Sequence, residues 1–153
     1  MVSSSDDCNV IIWERIPAGS VLGNKEPEWR AATTLSGYHS RSVYSCDWLT
    51  ALPAATSDGG VDDDDHDDNN VGLIATGGGD DAVCVFGLDA SRDAEATGQD
   101  GTSGERYRQL LRHEGAHRGD VNCVAWNPKR WGVLATAGDD NTVRIWKFTK
   151  ETA

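Results

Sequence analysis

Two stretches of this chain are built on one internal grammar, and that repetition constrains the fold more than any other feature. His39, Val43 and Trp48 recur as His117, Val121 and Trp126, each displaced by 78 residues, while Thr76, Asp80 and Phe86 recur as Thr136, Asp140 and Trp146, each displaced by 60. Segments that share both residue types and spacing are copies of one structural unit. A third, partial copy opens the chain. Aligned on its last residue, Ser3–Trp13 matches Thr136–Trp146, which puts Ser3 in register with Thr136 and Asp7 with Asp140.

A unit of about 40–45 residues that ends in a Trp- and Asp-bearing strand is the signature of a WD-repeat β-propeller blade. The expected fold class is therefore all-β: two nearly complete four-stranded antiparallel blades plus part of a third. The expected segments are residues 1–35 for the end of one blade and its outer strand, 36–112 for a middle blade and 113–153 for the last. A closed ring needs at least four blades, so the chain is expected to be an open, C-terminal part of a longer propeller. Only seven residues follow Trp146, too few for a fourth strand in the last blade. In closed propellers the N-terminal segment commonly supplies that strand.

The inner strands show as short runs rich in β-branched and aromatic residues: Val43–Trp48, Val71–Thr76, Ala82–Phe86, Val121–Trp126, Val133–Thr136 and Thr142–Phe148. Trp29–Leu35 and Arg106–Arg112 are the outer-strand candidates. The clusters Gly77–Asp81 and Gly138–Asn141 read as tight turns, because Gly, Asp and Asn tolerate positive φ. Two segments lack strand character. Residues 50–70 lengthen the connection between the first two strands of the middle blade, and residues 87–104 lengthen the next outer connection. Neither holds enough apolar surface to offset the entropy of ordering it.

Net charge is −11, yet Asp62, Asp63, Asp64, Asp65, Asp67 and Asp68 supply six of the negatives and leave −5 for the remainder. This balance argues against nucleic acid and against an anionic membrane, both of which recruit Lys and Arg. No apolar run approaches the ~20 residues of a membrane-spanning helix. Cys8, Cys46, Cys84 and Cys123 are nearly evenly spaced, but they fall at different positions of the repeat and form no C-x-x-C pair. They read as free thiols with no metal or cofactor to hold.

His117, Thr136, Asp140 and Trp146 have the types needed for a buried hydrogen-bonded tetrad. A turn carboxylate accepts from the imidazole, the imidazole bonds the hydroxyl, and the hydroxyl accepts the indole N–H. The middle blade offers His39, Thr76 and Asp80 with Phe86 in the Trp place, so its network is expected to end at Thr76. The first blade keeps Ser3, Asp7 and Trp13. A catalytic Thr–His–Asp reading is set aside because the neighbouring Trp accounts for the same residues and no strained nucleophile turn accompanies them. Gly77–Gly79 is not a phosphate loop, since a strand rather than a helix follows. The Asp62–Asp68 tract lacks the spaced ligands, Gly and terminal Glu of a calcium loop.

Four blocks together go beyond generic repeat grammar: Trp29–Trp48 with its Ser-Gly-Tyr38-His39 turn, Ile74–Phe86 with Phe for Trp, Ala116–Lys129, and Leu134–Phe148. They resemble the end of the WD-repeat scaffolds of cytosolic iron–sulfur protein assembly. The acidic segment and the long 87–104 connection depart from that pattern. The resemblance implies a seven-bladed, non-enzymatic adaptor that binds no cluster itself. It implies other subunits of the cytosolic iron–sulfur targeting complex and recipient apoproteins as partners, and the cytoplasm, with the nucleus, as location. A WD-repeat scaffold of another complex, such as a ubiquitin-ligase receptor or a chromatin subunit, is the competing reading. Arg41, Ser42, Tyr44, Arg118, Asp120, Asn122 and Asp139 lie where such proteins commonly present side chains to partners.

Overall fold

The computed structural model describes residues 1–20, 25–50, 72–88 and 107–148. Within them the chain forms strands joined by turns, with no helix among the described residues. The strands are β1 (Val2–Ser4), β2 (Val10–Ile16), β3 (Glu28–Leu35), β4 (Val43–Leu49), β5 (Leu73–Gly78), β6 (Val83–Leu88), β7 (Tyr107–His113), β8 (Val121–Trp126), β9 (Val133–Gly138) and β10 (Val143–Lys147). They make three antiparallel sheets: β1-β2-β3, the four-stranded β4-β5-β6-β7, and β8-β9-β10. The acidic segment falls between β4 and β5 and the Ser- and Gly-rich one between β6 and β7. Residues 51–71 and 89–106, which carry them, lie outside the described residues.

Stacking of the three sheets explains the sequence pattern of each. The middle sheet is covered on both faces, so β5 is buried throughout and β6 in all but its last residue. Such strands carry continuous apolar runs rather than alternation. The last sheet is covered on one face only, and β10 alternates exposed and half-buried residues from Val143 to Lys147. Two cores result. Val10, Ile12, Leu35, Val43, Ile74, Cys84 and Phe86 fill the space between the first and middle sheets. Leu49, Leu73, Ala75, Val83, Val85, Ala116, Val121, Val124, Trp126 and Leu134 fill the next.

Several strands run past the ends assigned from composition, and the reason corrects the turn reading. Gly77, Gly78 and Gly138 belong to β5 and β9, and positive φ falls instead on Cys8 (67°), Asp81 (60°) and Asn141 (58°). Those three occupy one repeat position. The glycines serve close approach: a Cβ on Gly138 would come within 2.5 Å of the His117 ring, and one on Gly77 within 2.5 Å of Val121. The first strands of the middle and last sheets also carry a bulge at the same place, after Val43 in β4 and after Val121 in β8.

Candidate functional site

The last sheet brings His117, Thr136, Asp140 and Trp146 into one hydrogen-bonded chain. The carboxylate can only accept, so His117 Nδ1 carries the hydrogen it gives to Asp140 Oδ1 at 2.9 Å. Nε2 then accepts from the Thr136 hydroxyl at 2.7 Å, and that hydroxyl accepts the Trp146 indole N–H at 2.9 Å. His117 and Thr136 are buried. Asp140 also receives the Thr142 hydroxyl at 2.7 Å, the Arg118 amide at 3.1 Å and Arg144 Nη2 at 3.1 Å. Its carboxyl is held well below the ordinary range, first by Thr142, then by His117 and the Arg118 amide. In the first sheet the Trp13 indole donates to the Ser3 hydroxyl at 2.8 Å, and Asp7 accepts the Asn9 amide at 2.9 Å.

The middle sheet repeats the first half of this chain and replaces the second. His39 meets Asp80 at 2.9 Å and Thr76 at 2.8 Å. Phe86, which has no N–H to give, instead receives the Tyr38 ring edge-on with centroids 4.9 Å apart. The corresponding residue before His117 is Ala116, which has no ring to offer Trp146. The two distinctive residues of the middle unit, Tyr38 and Phe86, are thus one packing pair.

Arg112 was not among the residues singled out from sequence, yet it completes the middle network. It sits on β7 directly across from Cys84, which occupies the repeat position of Arg144. Arg112 bonds Asp80 Oδ2 through Nη2 at 3.2 Å, the Tyr38 carbonyl through Nη1, and Glu114 through Nε at 3.2 Å. A small residue on β6 thereby leaves room for a guanidinium from the next strand. For Asp80, burial pushes the pKa up but is outweighed by His39, the Ser40 amide and Arg112, and the net direction is down. Burial raises the Cys84 thiol despite the adjacent Arg112. Among the described residues, no three His, Cys, Asp or Glu side chains are grouped to hold a metal ion.

Five of the candidate partner residues, Arg41, Tyr44, Asp120, Asn122 and Asp139, form one polar group, and two of them sit on bulges. Tyr44 and Asn122 are the extra residues of β4 and β8, and a bulge re-aims its side chain. Both are exposed. Arg41 Nη1 lies 3.9 Å from Asp120 Oδ1 across the two sheets, and Asn122 donates to Asp139 Oδ1 at 2.6 Å. The Asp139 amide donates to the Asp120 carbonyl at 3.0 Å. The Asp120 carboxylate, by hydrogen bond and by charge, raises the pKa of the Tyr44 hydroxyl. The backbones of Ser42 and Arg118 bond elsewhere, Ser42 accepting from the Gly79 amide and the Arg118 amide donating to Asp140.

Two further residues join the middle and last sheets without having been expected. Ser45 Oγ accepts the Val124 amide at 3.1 Å and Asp47 Oδ2 the Trp126 amide at 2.6 Å. Their repeat counterparts on β8 are Cys123 and Ala125. Polar residues two apart on an inner strand are the signal that marks them.

Residues 108–147 match the family model for the WD domain, G-beta repeat. A probable cytosolic iron–sulfur protein assembly protein Ciao1 from Aedes aegypti is 33% identical over 155 residues, covering 99% of this chain and 38% of that protein. Its counterpart from Homo sapiens is 34% identical over 133 residues, covering 86% of this chain and 31% of that protein. A homologue from Chlamydomonas reinhardtii is 33% identical over 159 residues, covering 95% and 38%. This chain spans less than two fifths of the length of those relatives. Three stacked antiparallel sheets and these likenesses agree: the chain carries a WD repeat at residues 108–147 and is similar along nearly its whole length to proteins named for cytosolic iron–sulfur protein assembly.

Proposed function

We propose that this chain is part of a non-catalytic adaptor in cytosolic iron–sulfur protein assembly, which brings targeting-complex subunits and recipient apoproteins together through protein–protein contacts. The observation that carries this reading is the likeness to proteins named for that assembly, at 33% identity over 99% of the chain. Its chemistry fits: the buried His, Thr and Asp side chains are consumed in bonds to one another, which rigidifies the sheets and leaves loops and bulges to recognise partners. The polar group around Arg41, Tyr44, Asp120, Asn122 and Asp139, with the adjoining Ser42 and Arg118 segments, is the proposed contact face. The cluster is cargo of the assembly rather than a resident group, and the cytoplasm is the proposed place of action, with the nucleus as a second.

Affinity purification of the longest natural form should recover targeting-complex subunits, and its depletion should lower cytosolic and nuclear iron–sulfur enzyme activities while sparing mitochondrial ones. Replacing Cys8, Cys46, Cys84 and Cys123 with Ser should leave partner recovery largely unchanged apart from lost packing at Cys84. Stoichiometric iron and sulfide held through those cysteines, or recovery of ubiquitin-ligase subunits alone, would defeat the proposal.

A further inference from the structure

The middle and last units differ at a further matched pair of positions, on the edge where their turns meet. In the last unit Asn122, the bulge residue of β8, donates to Asp139 at 2.6 Å. In the middle unit the same two places hold Tyr44 and Gly79. A Cβ on Gly79 would come within 3.0 Å of the Tyr44 hydroxyl and 3.4 Å of its Cζ, so the missing side chain is what seats the ring. Tyr44 is still 45% exposed. It belongs to the middle sheet, which has a neighbour on both faces, so that exposure does not come from an uncovered sheet face. The groups around the ring are charged. Its hydroxyl bonds the Asp120 carboxylate, and the charges acting on it are those of Asp120, Arg41 and, from the β1–β2 turn of the first sheet, Asp6. Asp139 lies beside Asp120, its amide bonded to the Asp120 carbonyl at 3.0 Å. The cation set against these three carboxylates is Arg41, whose guanidinium is 3.9 Å from Asp120 and whose side chain is 64% exposed. So loose a surface pair contributes little and is easily displaced.

We propose that the Tyr44 ring is the seat of an arginine side chain carried by a partner protein, its guanidinium stacked on the ring and bonded to Asp120 in place of Arg41, with Asp6 adding charge from the neighbouring sheet. This rests on the reading of that polar group as the contact face. An exposed aromatic ring attracts a cation to its face, and carboxylates beside it accept the cation's N–H groups. A second anion here would instead meet Asp6, Asp120 and Asp139. Arginine is favoured over lysine because a planar guanidinium lies on the ring and still directs N–H groups at a carboxylate. The partner segment is therefore basic.

The test uses NMR of the longest natural form with ring-labelled tyrosines, the Tyr44 signal being the one lost in Tyr44→Phe. Acetyl-Gly-Arg-Gly-amide at millimolar concentration is expected to shift that signal and to leave the signal of Tyr38 in place. The matching lysine peptide should need several-fold more, and acetyl-Gly-Glu-Gly-amide should cause no shift. Asp120→Asn and Asp6→Asn should each raise the arginine peptide concentration needed several-fold. Because Asp6 belongs to a different sheet, its variant decides the matter should Asp120→Asn disturb the last unit. Arg41→Ser should lower the concentration needed, since it removes the competing guanidinium, a gain that a merely structural Arg41 would not give. No Tyr44 shift with the arginine peptide, a larger shift with the glutamate peptide, or weaker binding in Arg41→Ser would overturn the proposal while leaving the contact face standing. The contact face is judged by affinity purification: undiminished recovery of targeting-complex subunits by the double variant Tyr44→Ala, Asp120→Ala would overturn that reading and this proposal with it.

Discussion

The middle and last sheets are built on one plan, yet they satisfy their buried aspartates from different directions. In the last sheet every partner of Asp140 among the described residues comes from β10 or the turns before β8 and β10: His117, the Arg118 amide, Thr142 and Arg144. In the middle sheet the guanidinium on Asp80 arrives from the outermost strand, as Arg112 of β7. The three described strands of the last sheet and their turns thus supply a guanidinium to Asp140, whereas the middle sheet draws its guanidinium from the fourth strand. The aromatic residue differs in the same spirit. Trp146 is half-exposed and hydrogen-bonded; Phe86 is fully buried and held by packing alone.

The sharpest test of that contrast removes the aromatic side chains. Phe86→Ala is expected to cost about 3–5 kcal/mol, the range for emptying a large core site, and Trp146→Ala distinctly less because its ring already meets solvent. Denaturant melts of the two variants side by side decide it, and equal losses would break the comparison. Next in size, Thr136→Val is expected to cost about 1–3 kcal/mol, since it strands the Trp146 indole N–H and His117 Nε2. Thr76→Val should cost less, because Phe86 makes no demand on the hydroxyl.

Acid stability sharpens the comparison further. Both Asp80 and Asp140 have folded pKa values below the ordinary carboxylate value of about 3.9. The folded chain then binds fewer protons than the unfolded chain near that pH, so stability is intact above the unfolded value and falls as pH drops through the folded ones. Asp80→Asn and Asp140→Asn should each be less stable at neutral pH and flatten the acid limb of a stability–pH curve. Arg112→Ala should weaken the acid dependence owed to Asp80 and leave that of Asp140 untouched. The smallest expected effect is a gain. Cys8 holds the positive-φ turn position that Asp81 and Asn141 hold elsewhere, so Cys8→Asn should stabilise by up to about 1 kcal/mol, read as a small rise in melting temperature.

Much of the fold was legible because the repeat supplies its own control. Spacing pointed to the strands, singled out the His, Thr and Asp of the middle and last units, and set Phe86 apart from Trp146. The turn glycines were misread for a physical reason: composition shows that a position needs Gly but not whether φ or close approach demands it. Arg112 escaped notice because Asp80, its partner, lies 32 residues away in sequence, and only strand pairing sets it across from Cys84. Ser45 and Asp47 escaped for a like cause, since the amides they accept belong to another sheet 79 residues on.

By itself, then, the sequence determined the kind of unit, its approximate strands and its local polar grammar, because side-chain alternation and turn chemistry are short-range properties of the chain. Only the tertiary structure decided which faces are covered, which guanidinium reaches which aspartate, and that Tyr38 completes Phe86. Those outcomes depend on contacts between strands and sheets far apart in sequence, where register and stacking choose the neighbour and no local pattern encodes it.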